Sequence, residues 1–337
     1  MTYTKIWQSL EASASNLADG HIRRRVKPQA VCDLFLAVAK PSNQHMLQIH
    51  LIRTSATTIN DLPSARGLDL TVIRAENGQD GCTLQLVLKE YRYDSVFDAL
   101  IQDVVAVVAD AQSESAAVAA FLSRLRHWQK FLERAGPDGL SREAQQGLYG
   151  ELWFLREHLI PLVDLYPALQ AWAGPCGAHQ DFLLQSCAIE VKTTGAKEPQ
   201  QLIIQSERQL DDAGLAALFL LHLSIDAREN VGESLITMIN SIRQQLQADV
   251  AALELFEDRL LEAGFLSFQT SLYERKGYNV RRAFFYQVKD SFPRIIGADL
   301  KPGVGAVRYS IAAAECRHFV VTEDELKSRL VGPNHGK

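Results

Sequence analysis

Residues 179–195 read HQDFLLQSCAIEVKTTG, and how this stretch folds decides the rest of the chain. Two short apolar runs flank a polar pause at Gln185-Ser186, the pattern of two strands joined by a tight turn. Three charges interrupt them: Asp181, Glu190 and Lys192. Side chains alternate faces along a strand, so Glu190 and Lys192 share one. A turn centred on Gln185-Ser186 sets Leu184 opposite Cys187 and Asp181 opposite Glu190. Carboxylates facing each other across a ladder repel, and burial worsens this unless one stays protonated. A divalent cation supplies the compensation. Mg²⁺ (or Mn²⁺) favours carboxylate oxygens and keeps several waters. On this reading Asp181 and Glu190 are its ligands, and the backbone carbonyl of Ile189 or Val191 adds another. The Lys192 ammonium points at the same spot, where it can orient a water or neutralise a phosphate. Such a set is suited to phosphodiester hydrolysis. Glu151, in GELWFLR on the preceding helix, is a candidate accessory ligand; the other reading is an exposed acid suited to the helix dipole. For Asp181, Glu190 and Lys192 the other reading is a buried ion-pair cluster without chemistry.

Working outward, a helix is expected over about 142–158, with Leu148, Leu152, Leu155 and Leu159 on one side. QLIIQ (201–205) reads as a third strand. SERQ (206–209) reads as a capping box opening a helix, with Gln209 reaching back. LAALFLLHLSI (215–225) is a continuous apolar run, as in a strand buried on both faces. The order is αβββαβ, an α/β core with a mixed sheet over 141–226. Residues 1–135 form an N-terminal α+β region: strands from CDLFLAVAK, HMLQIHLI, LDLTVIRAE and CTLQLVLKE, then helices over about 94–111 and 115–134. RAGPDGLS (134–141) is the linker. Residues 227–337 form an α+β extension: a long helical region over about 233–263, strand-like AFFYQV, AVRYSIA and RHFVV, and a final helix opened by TEDE at Thr322.

Composition is that of a globular protein: 337 residues, 47% apolar and 22% charged. A net charge of −5 argues against non-specific coating of nucleic acid, but leaves room for a local basic groove. Five cysteines without a CxxC pair suggest neither a disulfide framework nor a zinc cluster. The opening MTYTKIWQSLEASASN lacks a signal peptide's apolar core, and no apolar run is long enough to span a bilayer. A soluble cytoplasmic protein is expected.

The element order and the Asp181, Glu190-Val-Lys192 pattern resemble the PD-(D/E)XK nuclease superfamily, which includes restriction endonucleases. GLYGELWFLREHL, WAGPCGAHQDF and IEVKTTG together resemble a narrower bacterial group of PD-(D/E)XK motif proteins found with phage-defence and restriction-type clusters. The resemblance implies a restriction-endonuclease-like core, a Mg²⁺-dependent DNA endonuclease, and Asp181, Glu190 and Lys192 as catalytic residues with Glu151 accessory. The proline usual before the aspartate is replaced by Gln180. The alternative is a catalytically inactive nuclease-fold subunit that binds DNA or assembles a defence complex. One active site cuts one strand, so double-strand cutting calls for a homodimer or partner proteins.

Around this core, His179 and Gln205 are possible accessory residues, and His179 is expected on the strand face of Asp181. Thr193, Thr194 and Lys197 follow the Glu190 strand, where a loop can contact a DNA backbone. Trp172, Gly174 and Pro175 shape the loop entering the strand. Two basic stretches are candidate phosphate contacts: HIRRRVK (21–27), and YERKGYNVRR (273–282) with Arg275, Lys276, Arg281 and Arg282, where Tyr273 and Tyr278 could stack or pack. Glu274-Arg-Lys276, in a turn-like stretch, and Glu325-Leu-Lys327, in the last helix, repeat the Glu-x-Lys spacing and are expected at the solvated surface.

Overall fold

The computed structural model describes residues 3–54, 59, 62–63, 67–74, 81–134, 138–185 and 187–331. Residues 135–137 of the expected linker and Ser186 of the expected turn lie outside these. The chain divides into two compact units, Met1–Asp138 and Gly139–Lys337.

In the first unit, α1 (Tyr3–Ser13) precedes strands β1 (Gly20–Val26), β2 (Asp33–Lys40), β3 (Gln44–Leu51), β4 (Leu68–Arg74) and β5 (Cys82–Leu88). All pair antiparallel in the order β1-β2-β3-β5-β4. Helices α2 (Asp94–Ala109) and α3 (Glu114–Arg134) follow. Alternation buries Leu34, Leu36 and Val38 with Leu47 and Ile49 on one face. The basic stretch HIRRRVK is mostly the edge strand β1, and its three arginines have partners inside the unit. Arg24 donates to Ser9 (2.9 Å), Arg23 lies over the Phe35 ring (4.4 Å), and Arg25 pairs with Asp33.

The second unit opens with α4 (Arg142–Phe154), capped by Ser141, whose hydroxyl accepts the Ala144 N–H (3.1 Å). Leu148, Leu152, Leu155 and Leu159 are all buried, as the spacing requires. Then come α5 (Leu165–Ala171), β6 (Phe182–Leu183), β7 (Cys187–Thr194), β8 (Gln201–Ile204), β9 (Ala217–Glu229) and β10 (Glu233–Ser234). The remainder is α6 (Leu235–Leu246), α7 (Val250–Glu262), β11 (Lys276–Val288), β12 (Tyr309–Ala312), β13 (Val320–Val321) and α8 (Glu323–Val331). The main sheet runs β10-β11-β9-β7-β6, with β13 also on β11. It is mixed: β7 and β9 are parallel and the other pairs antiparallel. Residues 217–225 of β9 are buried throughout, as a central strand demands. Since β11 pairs β9, the stretch after residue 226 supplies strands to the sheet that carries Glu190.

Two expectations for the core need correction. The third strand, β8, leaves the main sheet and pairs with β12 as a separate two-stranded ribbon. β9 takes one side of β7, and β6 covers the start of the other, pairing Ala188 and Ile189. β8 buries only alternate residues, Leu202 and Ile204, which join Ala188, Leu218, Leu220 and Ile311 in a core beneath the ribbon. The helix expected from SERQ is instead a pair of hydrogen-bonded turns, Gln209 N–H to Ser206 O (3.2 Å) and Asp211 N–H to Arg208 O (3.3 Å). Its residues have other commitments: Leu210 is fully buried, the Glu207 carboxylate accepts the Val307 N–H (2.9 Å), and the Gln209 side chain turns toward Glu190.

Candidate active site

The β6–β7 register is the one the turn implies: Phe182 pairs with Ile189 and Leu183 with Ala188, and the Leu184 N–H donates to Cys187 O (2.9 Å). One step further back, Asp181 therefore stands opposite Glu190. The strand itself stops at Phe182, so β7 has an open edge from Glu190 onward. Asp181 takes over that edge with its side chain. Its Oδ2 accepts the Val191 N–H (2.7 Å), while its own carbonyl accepts the N–H groups of Ala173 and Gly174 (2.9 Å each). A strand residue turns its N–H and C=O to the same side, so the Val191 carbonyl lies on this edge too. Gly174 packs closely here: a Cβ would come within 2.8 Å of Asp181 Oδ1 and 3.2 Å of its Cα.

Gln180 occupies the place of the usual proline and has work of its own. It is buried, and its amide donates to Arg208 O (2.9 Å), tying the Asp181 segment to the turn that carries Gln209. His179 lies outside any strand, correcting the expectation, and is exposed with Arg208 Nη1 3.4 Å away.

Glu190 is 1% exposed. Its Oε1 receives Lys192 Nζ (2.5 Å) and the Gln209 amide (2.7 Å), while its Oε2 is buried without a hydrogen-bond partner. Gln209 was not singled out for the site by sequence. Its carbonyl accepts from Lys192 Nζ (3.3 Å) and from the Gln205 N–H (2.7 Å), so one side chain holds both charged residues and its own loop. The reach-back read from SERQ does occur, one residue earlier than a capping box would have it.

Electrostatics follow from this packing. Burial, and then the nearby Asp181, push the Glu190 carboxyl well above its ordinary value. Burial also raises Asp181, against the pull of Lys192 and the Val191 N–H. Burial lowers the Lys192 amine, but Glu190 and Asp181 outweigh it and keep the group above its ordinary value, hence charged.

Glu151 reaches the same cleft from α4, and its Oε2 accepts the indole N–H of fully buried Trp172 (2.7 Å). Gly150 lets α4 approach β7 closely; a Cβ there would fall 1.8 Å from Thr193 Oγ1. The cleft measures about 350 Å³ and is lined by Glu143, Glu151, Asp181, Glu190, Lys192 and Arg308, among others. Thr193, Thr194 and Gln205 also line it, and the Thr193 hydroxyl is buried without a partner. Lys197 is exposed beyond it. Arg275, Lys276, Arg281 and Arg282 lie outside its lining. Lys276 opens β11 rather than sitting in a turn, and Arg281 fills a bulge where its guanidinium donates to Ile225 O (2.6 Å) and Ala196 O (3.0 Å). Tyr273 and Tyr278 are buried and pack, which removes the stacking option.

A larger depression of about 660 Å³ in the first unit has less to offer. Its carboxylate, Glu114, is already satisfied by the N–H groups of Ile52 (2.9 Å) and Arg53 (2.8 Å) and the Thr54 hydroxyl (3.1 Å).

The residues at Glu190 fit a hard divalent cation. A buried carboxylate oxygen lacks a donor, a second carboxylate faces it, and a backbone carbonyl shares the edge. Among the described residues no cluster of three or more His, Cys, Asp or Glu side chains is placed to hold a metal. Mg²⁺ asks for fewer, since one or two carboxylates plus water suffice. All five cysteines are free, and among the described residues no helix is long and apolar enough to cross a membrane.

A family model described as "Putative PD-(D/E)XK family member, (DUF4420)" matches residues 3–314. No curated protein and no solved structure matches the chain.

Proposed function

The chain belongs to this PD-(D/E)XK family, and from that premise we propose that it is a metal-dependent DNA endonuclease hydrolysing backbone phosphodiesters. One observation carries the reading: the Glu190 carboxylate is buried, incompletely satisfied, and placed between Asp181 and a charged lysine at an open strand edge. Asp181, Glu190 and the Val191 carbonyl would hold Mg²⁺ or Mn²⁺, with Glu151 accessory from the α4 side. When bound, the ion supplies Lewis-acid polarisation of the phosphate and a more acidic water.

The chain's own groups do the rest. Lys192 keeps its proton and sets positive charge where the phosphate gains negative charge. Gln209 fixes Glu190 and Lys192 relative to each other. Thr193 and Thr194 line the cleft beyond Lys192 and would serve as contacts there. Lys197, Arg275, Lys276, Arg281 and Arg282 would meet the DNA backbone further out, Arg281 least, since it already bonds two carbonyls. His179 and Gln205 are accessory. The biological setting that fits is cytoplasmic phage defence or restriction, with a second copy or a partner protein when both strands are cut.

A second reading has one observation in its favour. The absence of a three-ligand cluster among the described residues suits an inactive nuclease scaffold. Plasmid cleavage in Mg²⁺ and in Mn²⁺, with Lys192→Ala purified in parallel, separates the two. The nuclease reading expects wild type to cut and the variant to lose at least about a thousandfold in rate. Equal cutting by both sinks the site assignment. If neither cuts, and Mn²⁺ calorimetry finds no binding, the scaffold reading stands.

A further inference from the structure

The cleft contains a second cation that no motif announces. Arg308 shares its wall with Lys192. Lys192 is committed to Glu190 (2.5 Å) and Gln209 (3.3 Å). Arg308 is exposed and, among the described residues, has no ion pair or side-chain hydrogen bond. Two other arginines of this unit are occupied: Arg294 pairs with Asp212 (3.0 Å) and donates to Leu210 O (2.7 Å), and Arg281 bonds two carbonyls.

Its backbone, by contrast, is fixed on both sides. The Val307 N–H is held by the buried Glu207 carboxylate (2.9 Å), from the turn after β8. Tyr309 opens β12 opposite Ile204, and its hydroxyl accepts the Ile295 N–H (3.1 Å). Extending that register by one step sets Arg308 across from Gln205, at the end of β8 that leads to Gln209. The ribbon thus delivers an anchored, uncommitted guanidinium to the lining of the cleft. A guanidinium's planar fork matches two oxygens of one phosphate, and in a cleft otherwise rich in carboxylates an uncommitted cation is the natural place for an incoming anion.

We propose that Arg308 is a substrate-binding residue that holds a backbone phosphate of the nucleic-acid strand in this cleft. The identity of the ligand rests on the nuclease reading; the position of Arg308 does not. Fluorescence anisotropy with a labelled 20-base-pair DNA duplex in EDTA, over a salt series, tests it. The proteins are wild type, Arg308→Ala, Arg308→Lys, and Arg317→Ala as a control for an exposed cation outside the cleft. Arg308→Ala is expected to bind about tenfold more weakly, with a salt slope smaller by about 1. Arg308→Lys should fall between, because it keeps charge but loses the fork, and Arg317→Ala should match wild type. The proposal is overturned if Arg308→Ala binds like wild type, if Arg317→Ala loses as much, or if wild type does not bind the duplex. Binding that follows the expected pattern without any cleavage in Mg²⁺ or Mn²⁺ would support Arg308 while counting against the hydrolytic reading. Cleavage with unchanged kcat/KM in Arg308→Ala would do the reverse.

Discussion

Glu190-Val-Lys192 and Glu325-Leu-Lys327 are the same spacing placed in two kinds of backbone. In β7 the period of two puts both charges on one face, and they meet at 2.5 Å. In α8 residues two apart point away from each other. There Glu325 turns back to accept the Thr322 N–H (2.7 Å) and hydroxyl (3.0 Å), while Lys327 looks to Glu323 (3.7 Å). The environments push the acids in opposite directions. Hydrogen bonds from Thr322 hold Glu325 below its ordinary value, whereas burial drives Glu190 up. Glu325 completes a helix end. Glu190 is left with a buried oxygen that lacks a donor, the one such carboxylate oxygen among the described residues.

The most severe test of that contrast is the same change at both places. Glu190→Gln should abolish metal-dependent DNA cleavage, by about a thousandfold or more, and should also abolish the rise in Tm that Mn²⁺ gives wild type. Glu325→Gln should leave both unchanged, since glutamine also serves in a capping box. Equal behaviour of the two variants would mean that the strand setting confers nothing special on Glu190.

A buried group without partners can also be purely structural, and His222 is the case to separate from Glu190. It pairs in register with Lys192 along β9, is 2% exposed, and neither ring nitrogen has a partner. Burial lowers its pKa from 6.5 to about 4. The folded protein therefore binds this proton less readily than the unfolded chain. The stabilisation from keeping the ring neutral is complete above about 6.5 and is lost as pH falls toward about 4. At most about 3 kcal/mol is at stake. Denaturant titrations between pH 7 and pH 4 should show His222→Phe losing less stability than wild type, with cleavage at neutral pH retained. Parallel pH profiles would show that another group governs acid sensitivity.

How much of this was legible before the structure depends on how local the cause is. The Asp181–Glu190 register follows from period-two alternation and a two-residue turn, both contained in fifteen residues. The α4 stripe, the apolar run of β9 and the Thr322 capping box are local in the same way. QLIIQ is legible as a strand, but its place is not the core sheet the element order suggests, because its partner β12 lies about a hundred residues away and no local pattern names it. α1 and the edge strand β1 are not legible in the same way; the charges of HIRRRV mask the alternation that makes it a strand. Gln209 shows the boundary most clearly. Its local reading, a glutamine reaching back to a backbone N–H, was nearly right, but the other end of its amide finds Glu190 through the tertiary fold.

That makes Gln209 the next most informative substitution. Gln209→Ala removes the bonds to Glu190 Oε1, Lys192 Nζ and the Gln205 N–H at once. Cleavage should fall by about ten- to a hundredfold, the scale of lost groups that orient a metal ligand, with a displaced pH–rate profile because Lys192 and Glu190 lose a shared partner. A loss of Tm with kcat and pH profile intact would reduce Gln209 to a packing role.

The finest comparison lies within one helix. Gly147 and Gly150 both belong to α4, one turn apart, and both cost helix stability relative to alanine. A Cβ on Gly147 meets nothing within 4 Å, while one on Gly150 would collide with Thr193 Oγ1 at 1.8 Å and crowd Val191 at 3.3 Å. Gly147→Ala should therefore stabilise the protein, and Gly150→Ala destabilise it, each on the order of 1 kcal/mol. Only the second should also lower cleavage, since pushing α4 off β7 carries Glu151 away from Asp181. If Gly150→Ala were as stable and as active as Gly147→Ala, close contact between α4 and β7 would not be what sets the width of the cleft.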